Sequence, residues 1–138
     1  MLKVVLDTSV FVSAILSKSD NAAPRRILNF WYGGEFVLIM TPQLLQELVG
    51  VLVRRKIPDE EIEDLVAAIG SIALQIPGAY ESTRLDEIDP DDNKFLAAAY
   101  EAKADYLVSL DNDLLFLKNF HGTQIRTPAL FLDRFESQ

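Results

Sequence analysis

The feature that most constrains this chain is the alternation of short, nearly continuous apolar runs with segments of helical apolar spacing. "LKVVL" at 2–6, "FVLIM" at 36–40 and "YLVSL" at 106–110 are such runs. A run of that length reads as a strand covered on both faces, and strands alternating with helices read as a parallel sheet between helices. The intervening helices carry their own signals. "SVFVSAILS" follows the first strand, and "AAPRRILNFWY" at 22–32 stops at Gly33-Gly34. In "TPQLLQELVGVLVRR", Thr41 is placed to cap, Pro42 fits the first helical position, and basic residues fill the last turn. "PDEEIEDLVAAIGSIAL" repeats the pattern with acids in its first turn, and "LQIPG" ends in a short strand. A helix is expected at about 90–103, a short one after Asp111, and a last one from Thr127-Pro128.

Composition narrows the chemistry. With 138 residues and 49% hydrophobic residues, the chain fits one domain over 1–138 with a real core. No apolar run approaches the roughly 18 residues that span a bilayer, and "MLKVVLDTS" lacks the marks of a signal peptide, so a cytoplasmic protein without a membrane partner is expected. The absence of Cys excludes disulfides, thiolate-bound zinc and thiol catalysis. The lone His121 argues against a His-based triad and reads as a surface-turn residue between Asn119 and Gly122. Any chemistry therefore rests mainly on oxygen ligands. The formal charge of −8, taken alone, argues against a polyanionic partner.

The acids have structural readings one by one. In "DPDDNKFL", Asp89 reads as a helix cap, Pro90 as the first helical residue, and the two following acids as favourable at the positive end of the dipole. Asp111 in "SLDNDLL" and Asp7 in "VVLDTS" can likewise cap the helices that follow them, and Glu47 can be a solvated helix residue. Their placement is the stronger observation. Asp7 and Asp111 directly follow strands, at the carboxyl edge where open α/β sheets bind ligands. Asp92 heads the stripe of Phe95, Leu96 and Ala99 at i+3, i+4 and i+7, so it faces inward; Asp91 falls outside that stripe and reads as solvated. Glu47 borders the stripe of Leu44, Leu48 and Val51. Four carboxylates converging on one edge repel each other and lose hydration unless a cation neutralises them. Mg²⁺ or Mn²⁺, acting as a pair, suits such a donor set and suits phosphodiester hydrolysis.

At this point the chain resembles the PIN domain nucleases, in particular the bacterial toxins of the VapC type. The resemblance is carried by "VVLDTSVFVSAIL", "TPQLLQELVGVL", "DPDDNKFLAAAYEAKADYLVSLDNDLL" and "IRTPALFL", which together cover nearly the whole chain in order. It implies an α/β fold, a three-layer α/β/α sandwich with a mostly parallel sheet of about five strands. By position, the family's catalytic and metal-holding acids fall on Asp7, Glu47, Asp92 and Asp111, and Asp113 matches a frequent fifth metal ligand. Thr8, Ser9 and Ser109 fall on supporting positions, with Ser9 where an Asn is common. The implied activity is a Mg²⁺- or Mn²⁺-dependent endoribonuclease with two ions in the active complex. An RNA substrate, a small antitoxin protein of a type II toxin-antitoxin pair and a homodimer are the implied partners.

Two divalent ions would offset four of the negative charges, leaving RNA contacts to local clusters such as Arg25-Arg26 or Arg54-Arg55-Lys56, although the second cluster also suits a helix C-terminus. Phe30-Trp31-Tyr32 reads as core beside a helix end, or as an antitoxin or dimer surface. Two rivals stand against the nuclease: a catalytically silent PIN-fold binding module, which an intact acidic quartet disfavours, and a phosphotransfer enzyme using a phosphorylated Asp. A phosphatase of the haloacid dehalogenase type would carry a second Asp two residues after the first, where this chain has Ser9.

Overall fold

The computed structural model describes residues 1–137. Its sheet has six strands: β1 (Lys3–Leu6), β2 (Val37–Met40), β3 (Leu74–Gln75), β4 (Tyr106–Val108), β5 (Asn119–Phe120) and β6 (Thr123–Arg126), in the order β3-β2-β1-β4-β6-β5. All neighbours pair in parallel except β5 with β6. The helices are α1 (Thr8–Leu16), α2 (Ala23–Tyr32), α3 (Pro42–Arg54), α4 (Asp59–Ile72), α5 (Asn93–Ala102), α6 (Asn112–Leu115) and α7 (Pro128–Glu136).

Consecutive residues of β1 and β4 are buried: Val4, Val5 and Leu6, and Tyr106, Leu107 and Val108. Side chains alternate between faces along a strand, so an unbroken buried run requires cover on both sides. Helices supply it, giving the α/β/α arrangement: α5 packs across β1, β2 and β4, α7 across β4 and β6, and α2 joins α1 to α7. Trp31 of the aromatic triplet is 1% exposed and belongs to this core, while Tyr32 is 47% exposed at the helix end. Helix starts follow local chemistry. The Thr41 hydroxyl accepts from the Leu44 N–H at 3.1 Å, and the Thr127 hydroxyl accepts from the Leu130 N–H at 3.2 Å, each just before a proline.

Strand order places the site. The chain steps outward from β1 to β2 to β3, then returns to the other side of β1 as β4. The reversal lies between β1 and β4, and crevices at the carboxyl ends of strands flanking such a point are where open α/β sheets bind ligands. Asp7 follows β1 and Asp111 follows β4, and the Asp7 N–H donates to the Val108 carbonyl at 2.9 Å.

Two details depart from the sequence reading. The sheet has a sixth strand because Asn119–Phe120 and Thr123–Arg126 form a hairpin around His121-Gly122. Both turn residues have positive φ, 48° and 88°, as a two-residue hairpin with a mirror-image turn requires. His121 is an exposed turn residue whose ring lies edge-on to Tyr100 and Phe120, with centroids 5.1 and 4.6 Å apart. The second departure is Asp89. A single 3₁₀ turn (Pro90–Asp92) leads into α5, and Asp89 precedes it with φ −147° and ψ 88°, but its side chain makes no capping hydrogen bond. The reading of Asp89 as a side-chain cap is therefore corrected: the short turn leaves its carboxylate free to lie elsewhere.

Candidate active site

Asp7 enters the site at the end of β1 and is 5% exposed. One oxygen, Oδ1, accepts from the Ser9 N–H at 3.2 Å, so the residue caps α1; the other, Oδ2, accepts from the Ser109 hydroxyl at 2.5 Å. Ser109 is fully buried and links the two strand ends, since its oxygen also accepts from the Asp111 N–H at 2.9 Å. The Ser9 hydroxyl accepts from the Leu110 N–H at 3.3 Å, tying α1 to the same loop. Burial pushes the Asp7 carboxyl above its ordinary value; the donors Ser109 and Ser9 pull it down, and the charge of Asp111 adds to the rise.

Asp111 caps the short helix α6 by accepting from the Asp113 N–H at 2.8 Å. Asp92 is 7% exposed, and its Oδ2 is buried without a hydrogen-bond partner. Its carboxyl is pushed up to about 8, first by burial, then by a hydrogen bond with Asp111 and by the charges of Asp111, Asp7 and Asp89. Asp89, Asp92 and Asp111 each offer a carboxylate oxygen, and these oxygens lie within 4.8 Å of one another. Asp91, by contrast, is exposed.

Glu47 reaches the same edge from α3 but is engaged by other groups. Its Oε2 accepts from the Thr8 hydroxyl at 2.5 Å, and its Oε1 pairs with the Lys94 ammonium at 2.6 Å. Among the described residues the ion pairs are this one and Arg26 with Glu136; neither reaches Asp89, Asp92 or Asp111. Asp113 is half-buried and stands outside the three-carboxylate group.

The structure thus brings Asp92 and Asp111 together with Asp89, ties Asp7 to Asp111 through Ser109 outside that group of three, and holds Glu47 beside Asp7 through Thr8. Sequence reasoning missed two members of this neighbourhood. Asp89 was hidden behind its reading as a cap. Lys94 follows Asp91 in the motif by three positions, and its spacing could have placed it toward α3. The basic residues at the end of α3 border the site on two sides. Arg55 lines a groove of about 580 Å³ with Thr8, Ser9, Ser13 and Leu110, and Arg54 lines one of about 390 Å³ with Glu47 and Lys94. The Arg25-Arg26 cluster has Arg26 committed to Glu136 at 2.5 Å.

The role of Ser109 leads to an expected result. Ser109→Ala removes the donor to Asp7 Oδ2 and the acceptor of the Asp111 N–H inside a closed environment, and should destabilise the protein by about 1–3 kcal/mol. Urea unfolding at pH 7 with an unchanged slope would show it.

Comparison with known proteins agrees with this fold. The family model described as a PIN domain matches residues 3–113. The uncharacterized protein MJ1680 of Methanocaldococcus jannaschii is 31% identical over 150 residues, covering 98% of this chain and 92% of that protein. Among solved structures, VapBC2 from Rickettsia felis bound to a promoter DNA fragment aligns with a TM-score of 0.64 at 17% identity, over 91% of this chain and 98% of that one. FitAB bound to an IR36 DNA fragment gives 0.61 at 15% identity, over 91% and 94% of the two chains. PAE2754 from Pyrobaculum aerophilum gives 0.55 at 12% identity, over 100% and 98%. At these identities the structures establish a shared fold, and the family match extends over most of the sequence, site acids included. This chain belongs to the PIN domain family.

Proposed function

We propose that the chain is a Mg²⁺- or Mn²⁺-dependent endoribonuclease, the toxin of a type II toxin-antitoxin pair. The observation that carries the metal is the unpartnered buried Oδ2 of Asp92 amid neighbouring carboxylates. A buried carboxyl oxygen without a donor, with other carboxylates around it, is costly by itself and fitting beside a hard cation. The residues fit two ions: Asp7, Asp92 and Asp111 would hold them, with Asp113 at the rim, and Glu47 would join once Lys94 releases it. When bound, such ions lower the pKa of water and offset charge that develops on a phosphodiester.

The chain's own groups have distinct tasks in this reading. Ser109 fixes the Asp7 carboxylate by donating to one of its oxygens, and Thr8 does the same for Glu47. Both hydroxyls are positioning groups. Arg55 and Arg54 are exposed on either side of the acidic edge and would engage phosphates flanking the one that is cut. Their placement addresses the charge problem: the overall charge of −8 is unfavourable for RNA, and the site's own surroundings offset it locally.

For partners, the support is the likeness to VapBC2, solved bound to a DNA fragment from their promoter, and to FitAB, solved bound to an IR36 DNA fragment. The likeness to these assemblies supports a small antitoxin partner for this chain, and the homodimer rests on the sequence resemblance alone. Among the described residues no helix is long and apolar enough to cross a membrane.

Cleavage of single-stranded RNA tests the activity. Purified protein should cut with Mg²⁺ or Mn²⁺ and stop with chelator. Cutting that continues at full rate in chelator would overturn the metal-dependent reading.

A further inference from the structure

Asp89 stands immediately before Pro90, where its sequence context calls for a helix cap. Its side chain makes no capping bond, and one of its oxygens lies within 4.8 Å of ligand oxygens of Asp92 and Asp111. No ion pair among the described residues balances this group. The acids around it are committed elsewhere. Asp86 accepts from the Asn93 side-chain amide at 2.7 Å, Glu47 is engaged by Thr8 and Lys94, and Asp91 is exposed.

A cluster of acids alone proves little, since exposed acidic groups are common. The second observation is Asp92, 7% exposed, with Oδ2 unpartnered beside these two carboxylates. Moving a third carboxylate next to a buried, donor-less oxygen makes the electrostatics worse unless a cation sits among them. Three oxygens at this spacing can share one hard ion that keeps its remaining positions for water.

We propose that Asp89 is a metal ligand, and that Asp89, Asp92 and Asp111 together hold one Mg²⁺ or Mn²⁺ ion. This rests on the metal-dependent reading above and extends it to a residue outside the quartet that the resemblance implies. Asp89 ends the irregular segment that precedes α5, whereas Asp111 follows β4. An ion shared between them would tie that segment to the sheet edge.

The test is isothermal titration of the metal-free protein with MnCl₂, using wild type, Asp89→Asn and Asp91→Asn. Asn keeps the shape of Asp, and Asp89 makes no capping bond to lose, so Asp89→Asn should fold with an unchanged far-UV spectrum. The expected result is Mn²⁺ affinity at least about tenfold weaker in Asp89→Asn. Asp91→Asn, which removes the same charge two residues away, should stay within about twofold of wild type because at that range only screened electrostatics act. Wild-type affinity in Asp89→Asn would overturn the proposal. Equal weakening in both variants would also overturn it, by tracing the effect to net charge. Absence of Mn²⁺ binding in the wild type would instead overturn the metal-dependent reading on which it rests.

Discussion

Asp92→Asn is expected to lose at least about a hundredfold of RNA cleavage, close to 2.7 kcal/mol of transition-state stabilisation, while keeping the fold. Asp92 has the most perturbed carboxyl of the site, and its Oδ2 has no protein partner to lose. Replacing it with Asn removes a ligand and a buried ionisable group together. The metal-free variant should therefore be at least as stable as the metal-free wild type, because its cost in the folded state is desolvation and repulsion. Activity and stability moving in opposite directions would mark Asp92 as functional. A large loss of apo stability would mark it as structural instead.

The second large effect is the coupling of metal and protons to stability. The Asp92 carboxyl is raised to about 8 in the folded protein, against roughly 3.9 for an unfolded chain. Between those values the folded state holds a proton that the unfolded state has lost, so this group makes the apo protein less stable as pH rises, with the change complete above about 8. Asp7 is shifted in the same direction. Metal must displace the proton, so apparent Mn²⁺ affinity should rise by about tenfold per pH unit below that pKa, if one proton leaves, and level off above it. At about a hundred times its dissociation constant, Mn²⁺ should stabilise the wild type by roughly 2.7 kcal/mol. Asp111→Asn should gain much less. Thermal melts across pH at fixed ionic strength, with and without Mn²⁺, read both effects. A metal shift that is equal in wild type and Asp111→Asn would remove Asp111 from the metal site.

Much of the site was legible in the sequence because local rules determine it. Asp7 and Asp111 each end an apolar run, and the run's length alone places them at a strand terminus. Asp92 was legible because Phe95, Leu96 and Ala99 repeat at helical spacing from it. What could not be read depends on long-range contact or on a single torsion. The Glu47–Lys94 pair joins residues 47 positions apart. The adjacency of β1 and β4 follows from strand order, which apolar runs do not encode. Asp89 was misread because "DPDD" looks the same whether the first carboxylate turns back to the helix or, at ψ 88°, joins its neighbours. The hairpin at 119–126 escaped because its strands are short and one inward position is Thr123, buried with its hydroxyl donating to the Ala104 carbonyl at 2.7 Å.

The most direct measurement is the chemistry of the RNA ends made by wild type and Asp7→Asn, prepared side by side and assayed with Mn²⁺. If the acidic edge directs water at the phosphodiester, wild type should leave one phosphate and one hydroxyl at each cut, with no 2′,3′-cyclic phosphate, since the ribose 2′-hydroxyl takes no part. Asp7→Asn should make those ends at least about a hundredfold more slowly. Cyclic phosphate ends, or equal cleavage by the two proteins, would contradict a metal-dependent hydrolytic site at Asp7.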